Sequence, residues 1–140
     1  MSRIMALDVG ESTVGVAVSD ALCLTAQPVA TLRRTTLAKD LAAIHAMVRS
    51  HEVTSIVVGL PLRMSGEAGP AAVAAIAFAK RIGEAVNLPV TTWDERLTTV
   101  QAERCLLEAD LSRRHRRRVI DTVAAALILQ SFLDSRRAGT

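Results

Sequence analysis

Apolar residues fall into two rhythms along the chain. Arg3-Ile-Met-Ala-Leu-Asp-Val9 and Val14-Gly-Val-Ala-Val-Ser19 are short blocks rich in Val, Ile and Ala, which predict strands at 3–9 and 14–19. The turn between them, flanked by Gly10 and Gly15, is short enough for a hairpin. A third strand is predicted over 25–32, with Pro28 pushing it to a sheet edge because proline cannot donate to a ladder. From Leu37 the rhythm changes: Leu37, Leu41, Ile44 and Val48 recur at four, three and four, one face of a helix behind the capping residues Thr35 and Thr36. Ser55-Ile-Val-Val-Gly59 lacks alternation and predicts a strand covered on both faces. A helix is predicted from Pro70 to about Val86, ended by Asn87 and Pro89, then a strand at Val90-Thr-Thr-Trp93. A helix over 99–109 follows Thr98, with Gln101 completing a capping box, and a last helix runs from Val119 to Leu133.

This order predicts an α/β fold: a mixed five-stranded sheet with helices on both faces. At 140 residues, half of them apolar, the chain is expected to form one domain over 1–134 with a disordered tail at 135–140. The longest apolar run, Ala71 to Ala79, is far short of a membrane span, and the N-terminus lacks a signal-peptide pattern. A soluble, cytoplasmic protein with no membrane partner is expected. Cys23 and Cys105 are widely separated and read as core residues rather than as a disulfide or zinc site, and His45, His51 and His115 show no metal-motif spacing.

Charge sharpens the picture at one end. Residues 1–110 carry 10 Lys and Arg against 12 Asp and Glu, whereas residues 111–140 carry 7 against 2. Most of the excess lies in Ser112-Arg-Arg-His-Arg-Arg-Arg118, a run expected to repel itself and stay extended unless a polyanion lies beside it.

Three acidic positions are odd together. Period two puts Asp8 on the face of Ile4 and Ala6, near the strand end where open α/β sheets place ligands. Asp94 and Glu95 leave the fifth strand at the same kind of end. Asp121 shares a helix face with Ala124, Ala125, Ile128 and Phe132, so it is expected to point inward. Each has an ordinary reading on its own: a turn cap for Asp8, a solvated acid or partner of Arg96 for Asp94 or Glu95, a complement to the helix dipole for Asp121, a solvated loop for the arginine run. As a group they differ. Carboxylates brought together repel by about 4 kcal/mol per pair at 4 Å and an effective dielectric near 20, and a divalent cation removes that cost. Oxygen ligands without His or Cys suit Mg²⁺ or Mn²⁺, which support phosphodiester hydrolysis; beside dense arginine the natural substrate is a nucleic acid.

Four segments carry a resemblance: ALDVGESTVGVAVSD from Ala6, IVVGLPLRMSGEAGP from Ile56, TTWDERLTT from Thr91 and RRVIDTVAAALILQ from Arg117. In order and spacing they closely resemble the YqgF family of pre-16S ribosomal RNA nucleases and Holliday junction resolvase-like proteins, which has the ribonuclease H-like fold. The resemblance implies that Asp8, Glu95 and Asp121 are catalytic, metal-binding acids, with Asp94 a further candidate ligand for Mg²⁺ or Mn²⁺. It implies that Gly59-Leu-Pro-Leu62 and the loop to Gly69 border the site. The implied activity is trimming of precursor 16S rRNA at its 5′ end, on the free RNA or a ribosomal particle.

The chain departs from that family at two places. Glu11-Ser-Thr-Val14 stands where relatives commonly carry basic residues, and Ser65 stands where they carry an acid. The first shifts the expected nucleic-acid contacts onto Arg63, Arg96, Arg113, Arg114, Arg116, Arg117 and Arg118. Other readings stay open: a DNA junction resolvase, which would need a dimer, a non-catalytic RNA-binding assembly factor, and an actin-like ATPase, for which the chain is too short to form two lobes.

Overall fold

The computed structural model describes residues 2–97 and 113–138. Strands β1 (Arg3–Val9), β2 (Thr13–Ser19) and β3 (Ala26–Arg33) precede helix α1 (Leu37–Ser50), strand β4 (Val53–Leu60), helix α2 (Pro70–Val86) and strand β5 (Val90–Asp94). A short 3₁₀ turn, Glu95–Leu97, follows β5, and helix α3 spans Arg113–Ala138. The sheet order is β3-β2-β1-β4-β5. β2 is antiparallel to β1 and β3, whereas β4 is parallel to β1 and β5. Pro28 does lie in an edge strand, and the β2–β3 register slips beside it, where Val16 faces Ala30 and Ala17 faces Pro28.

Strand alternation divides the core. On one face Met5, Leu7, Val16, Ile56 and Val58 pack against Ile44 of α1 and Phe78 and Ile82 of α2. On the other, Ile4, Ala6, Ala17 and Val57 pack against Ala125, Ile128, Leu129 and Leu133 of α3. Each fully buried Leu, Ile or Val contributes about 1.5–3 kcal/mol. The second face uses smaller strand residues, so one long helix lies close to the sheet. Leu133 lies in the same core cluster as Ile4 at the start of β1, while Ile128 reaches Gly59 near the end of β4. Helix α3 therefore lies mainly over β2, β3 and β1 and touches β4 only near Gly59, with its N-terminal half toward the C-terminal ends of β1 and β4.

Local signals place the helix ends. Thr36 caps α1, its hydroxyl accepting from the Lys39 N–H at 3.2 Å. Pro70 opens α2, and Asn87 closes it in the left-handed conformation at φ 56°. The predicted helix at 99–109, with Cys105, lies outside the described residues.

Two expectations are corrected in α3. The arginine run, expected to be extended, is helical from Arg113, six residues before the predicted start. Arginine is among the better helix formers, and steps of 100° distribute residues 113–118 around the axis rather than along one side. The helix also continues to Ala138 through the segment expected to be disordered from Ser135. Arg136 there suits the negative end of the helix dipole.

Candidate active site

Asp8 stands one residue before the end of β1, half-buried, with Gly15 as its cross-strand partner. It lies on the sheet face of Ile4 and Ala6, the face that α3 covers. β5 ends at Asp94, and the 3₁₀ turn begins with Glu95. Because β4 lies between β1 and β5, a side chain from the end of β5 must cross β4 to reach Asp8. Gly59 opens that crossing. A Cβ on Gly59 would come within 2.9 Å of Cγ and Cδ of Glu95 and within 2.7 Å of Cδ1 of Ile128. With only hydrogen there, Glu95 lies across the strand and its carboxyl hydrogen-bonds Asp8.

Two carboxyls in contact cannot both be ionised at low cost. Burial, the hydrogen bond to Asp8 and the charges of Asp8 and Asp94 together push the Glu95 carboxyl up to about 8. Glu95 therefore favours its protonated form at neutral pH, and a divalent cation held by both groups would take the place of that proton. The donor set fits: oxygen ligands, with no His or Cys beside them among the described residues, match a hard ion such as Mg²⁺ or Mn²⁺. Among the described residues no three His, Cys, Asp or Glu side chains gather into a metal-holding group. The predicted third acid, Asp121, is in α3, seven residues before Ile128 and so about 10 Å back along the axis toward the Asp8 end. Its side chain lies outside the described ones.

Asp94 has a different role from its neighbour. The Arg96 guanidinium grips it at 2.6 Å from Nη2 to Oδ2 and 3.0 Å from Nε to Oδ1, and the Arg96 N–H donates to Oδ1 at 3.0 Å. These hydrogen bonds hold the Asp94 carboxyl below the usual carboxylate range. Arg96 also donates to the Met64 carbonyl at 3.3 Å, tying the turn after β5 to the loop after β4. Of the two adjacent acids, Glu95 therefore faces Asp8 and Asp94 faces Arg96.

Asp8 and Glu95 open into a cleft of about 450 Å³, whose walls include Arg34 and, from the first turns of α2, Pro70, Ala71 and Ala74. No side chain caps the N-terminus of α2 and its first turn has no acid, so this wall carries the positive end of a helix dipole. Arg63 is exposed on the neighbouring loop, with its guanidinium against Gly69. Arg113, Arg114, Arg116, Arg117 and Arg118 occupy the first turns of α3, and their side chains lie outside the described ones. Sequence reasoning missed Arg34 and the crossing role of Gly59. An arginine just before a helix cap shows nothing of what folds beside it, and the motif around Gly59 marks a position without revealing what lies over it.

This sheet order, with acids at the C-terminal ends of its first and last strands and helices on both faces, is the ribonuclease H-like fold. It superimposes on T. thermophilus RuvC in complex with a Holliday junction substrate, with a TM-score of 0.62 at 15% identity, covering 100% of this chain and 98% of that one. It also matches the fowlpox virus Holliday junction resolvase, with a TM-score of 0.55 at 13% identity over 96% and 99% of the two chains. The chain belongs to the RuvX family, whose model, described as Holliday junction resolvase, matches residues 2–135. A protein of Myxococcus xanthus is 55% identical over 135 residues, 96% of this chain and 89% of that one. One of Moorella thermoacetica is 59% identical over 132 residues, 94% of each chain. Both carry the name "Putative pre-16S rRNA nuclease". Membership places the chain among nucleases, hydrolases of phosphodiester bonds.

Proposed function

We propose that this protein is a metal-dependent nuclease that trims the 5′ end of precursor 16S rRNA in the cytoplasm, as the free RNA or within a ribosomal particle. The observation that carries the reading is the Asp8–Glu95 pair, brought together across Gly59 at the mouth of an open cleft. Asp8, Glu95 and Asp121 are its catalytic acids and the ligands of Mg²⁺ or Mn²⁺. Asp94 serves them indirectly, by fixing the turn from which Glu95 departs.

A divalent ion in such a carboxylate site supplies Lewis-acid polarisation of the phosphoryl oxygen and a more acidic water. The chain's own contribution is placement. Asp8 is held by the β1–β2 and β1–β4 ladders, and Glu95 by burial and the Asp94–Arg96 clamp. A water oxygen attacks phosphorus, the bond to the leaving oxygen breaks, and that oxygen ends protonated. Arg63 and the arginines at 113–118 hold the flanking backbone; Arg96, already engaged by Asp94 and the Met64 carbonyl, acts mainly as a strut.

The test is cleavage of a labelled precursor 16S 5′-leader RNA with Mg²⁺, Mn²⁺ or chelator, by wild type and Asp8→Asn. Metal-dependent cutting that vanishes in the variant is expected. RNA binding without cutting in any metal would overturn the nuclease role for an assembly-factor one. A four-way DNA junction belongs in the same assay because the family model is described as a Holliday junction resolvase. Preferential junction cutting, from a stable dimer, would replace RNA by branched DNA as substrate.

A further inference from the structure

Arg34 lies outside every motif and follows β3 directly, yet it lines the cleft that holds Asp8 and Glu95. Three contacts fix it. Nη1 donates to the Gly10 carbonyl at 2.9 Å, at the hairpin tip two residues beyond Asp8. Nε meets Oδ2 of the buried Asp40 at 3.4 Å. The guanidinium carbon lies 4.8 Å over the Phe78 ring. The side chain nevertheless remains 26% exposed. A guanidinium has five N–H donors, and these contacts engage two of them.

The surrounding charge gives the remaining donors a purpose. Asp8 and Glu11 line the same cleft beside Glu95, and their carboxylates would repel an anionic strand. Among the described residues lining it, Arg34 alone is cationic. A planar cation whose stem and two donors are already fixed loses little freedom on meeting a phosphate and can present two parallel N–H groups to it.

On the nuclease reading above, we infer that Arg34 holds a backbone phosphate of the substrate strand, next to the phosphate presented to Asp8 and Glu95. Its anchoring to Gly10 and Asp40 sets the distance between that phosphate and the acids, which makes it a substrate-gripping residue in the cleft itself, apart from the arginines of the final helix.

The alternative is a strut that merely ties the hairpin to α1, and a salt titration separates the two. Binding of a fluorescently labelled single-stranded RNA would be measured in chelator, where no cleavage occurs, over a range of salt for wild type, Arg34→Gln, Arg34→Lys and Asp40→Asn. The expected result for Arg34→Gln is an affinity about tenfold weaker and a log–log salt slope shallower by about 0.7, the value for one phosphate contact on a single strand. Arg34→Lys keeps the charge and should restore most of the slope. Asp40→Asn loosens the anchor but leaves the cation, so its slope should match wild type even if its Tm falls. Arg34→Gln and Asp40→Asn behaving alike, or Arg34→Gln with an unchanged slope, overturns the inference and leaves the nuclease reading standing. Failure of wild type to bind RNA at all overturns both.

Discussion

The two ends of the sheet treat polar groups in opposite ways. At the end where β1 begins, partners are matched. The Ser19 hydroxyl accepts from the buried Ile4 N–H at 2.9 Å and donates to the Asp20 carbonyl at 3.1 Å. Asp20 Oδ1 accepts from the N–H groups of Leu24 at 2.7 Å and Thr25 at 2.9 Å. Gln130 of α3 clamps the start of β3, accepting from Ala26 and donating to the Leu24 carbonyl. At the end where β1 finishes, two carboxyls face each other across a glycine. One end is arranged for stability. The other holds two acids together at a cost that a bound cation would remove, the pattern of a functional site maintained by the rest of the fold.

The largest effect should come from removing the unfavourable pairing itself. Asp8→Asn is expected to lower metal-dependent cleavage by about three orders of magnitude, since a cation's stabilisation of developing charge is worth several kcal/mol. The same variant should be more stable than wild type without metal, by about 1 kcal/mol or roughly 3 °C in Tm, because Glu95 no longer faces a second acid. Adding Mg²⁺ or Mn²⁺ should raise the Tm of wild type but not of the variant. A variant destabilised in chelator and still active would mean that the two ends of the sheet do not differ in kind.

Gly59→Ala comes next. The added methyl would overlap both Ile128 and Glu95, so a stability loss of about 1–3 kcal/mol is expected together with a fall in cleavage. Pairing it with Ile128→Val removes the Cδ1 contact and should return part of the Tm. Activity should stay low, because the overlap with Glu95 remains. Recovery of both together would show that Gly59 matters for packing alone and does not make room for the acid.

These variants also mark what could be read in advance. Strand and helix positions followed from local signals: Thr36 as a cap, Pro70 at a first turn, Asn87 in the left-handed conformation, Pro28 at an edge. Asp8 at a strand end was legible from period two. The choice between Asp94 and Glu95 was not, because the turn after β5 sends adjacent residues in different directions and only the tertiary position of Gly59 admits one of them. Arg34 was hidden for a related reason, since its neighbours Gly10, Asp40 and Phe78 come from three separate elements. The start of α3 is not legible in the sequence, because repulsion along the arginine run opposes arginine's helix propensity, and the propensity prevails in the fold.

At the matched end, effects should be confined to stability. Ser19→Ala leaves the buried Ile4 N–H without its acceptor, which costs about 1–3 kcal/mol, while cleavage at saturating RNA stays at the wild-type level. A drop in turnover as well would mean that the two ends are coupled through β1.

The smallest effect is expected at Asp20, and it carries a sign. Hydrogen bonds from the N–H groups of Thr25 and Leu24 hold its carboxyl below the ordinary value of 3.8. A carboxyl that is more acidic in the folded chain binds fewer protons there than in the unfolded chain. Its contribution is therefore present above the unfolded value, and it is lost as pH falls below 3.8 and through the folded value. Asp20→Asn keeps an oxygen acceptor for the same N–H groups but cannot ionise. Its Tm should lie slightly below wild type at neutral pH, with the gap closing as the wild-type carboxyl protonates. A gap that is the same at about pH 3 as at neutral pH would assign the loss to amide geometry rather than charge, and the matched end would then owe its stability to the hydrogen-bond pattern alone.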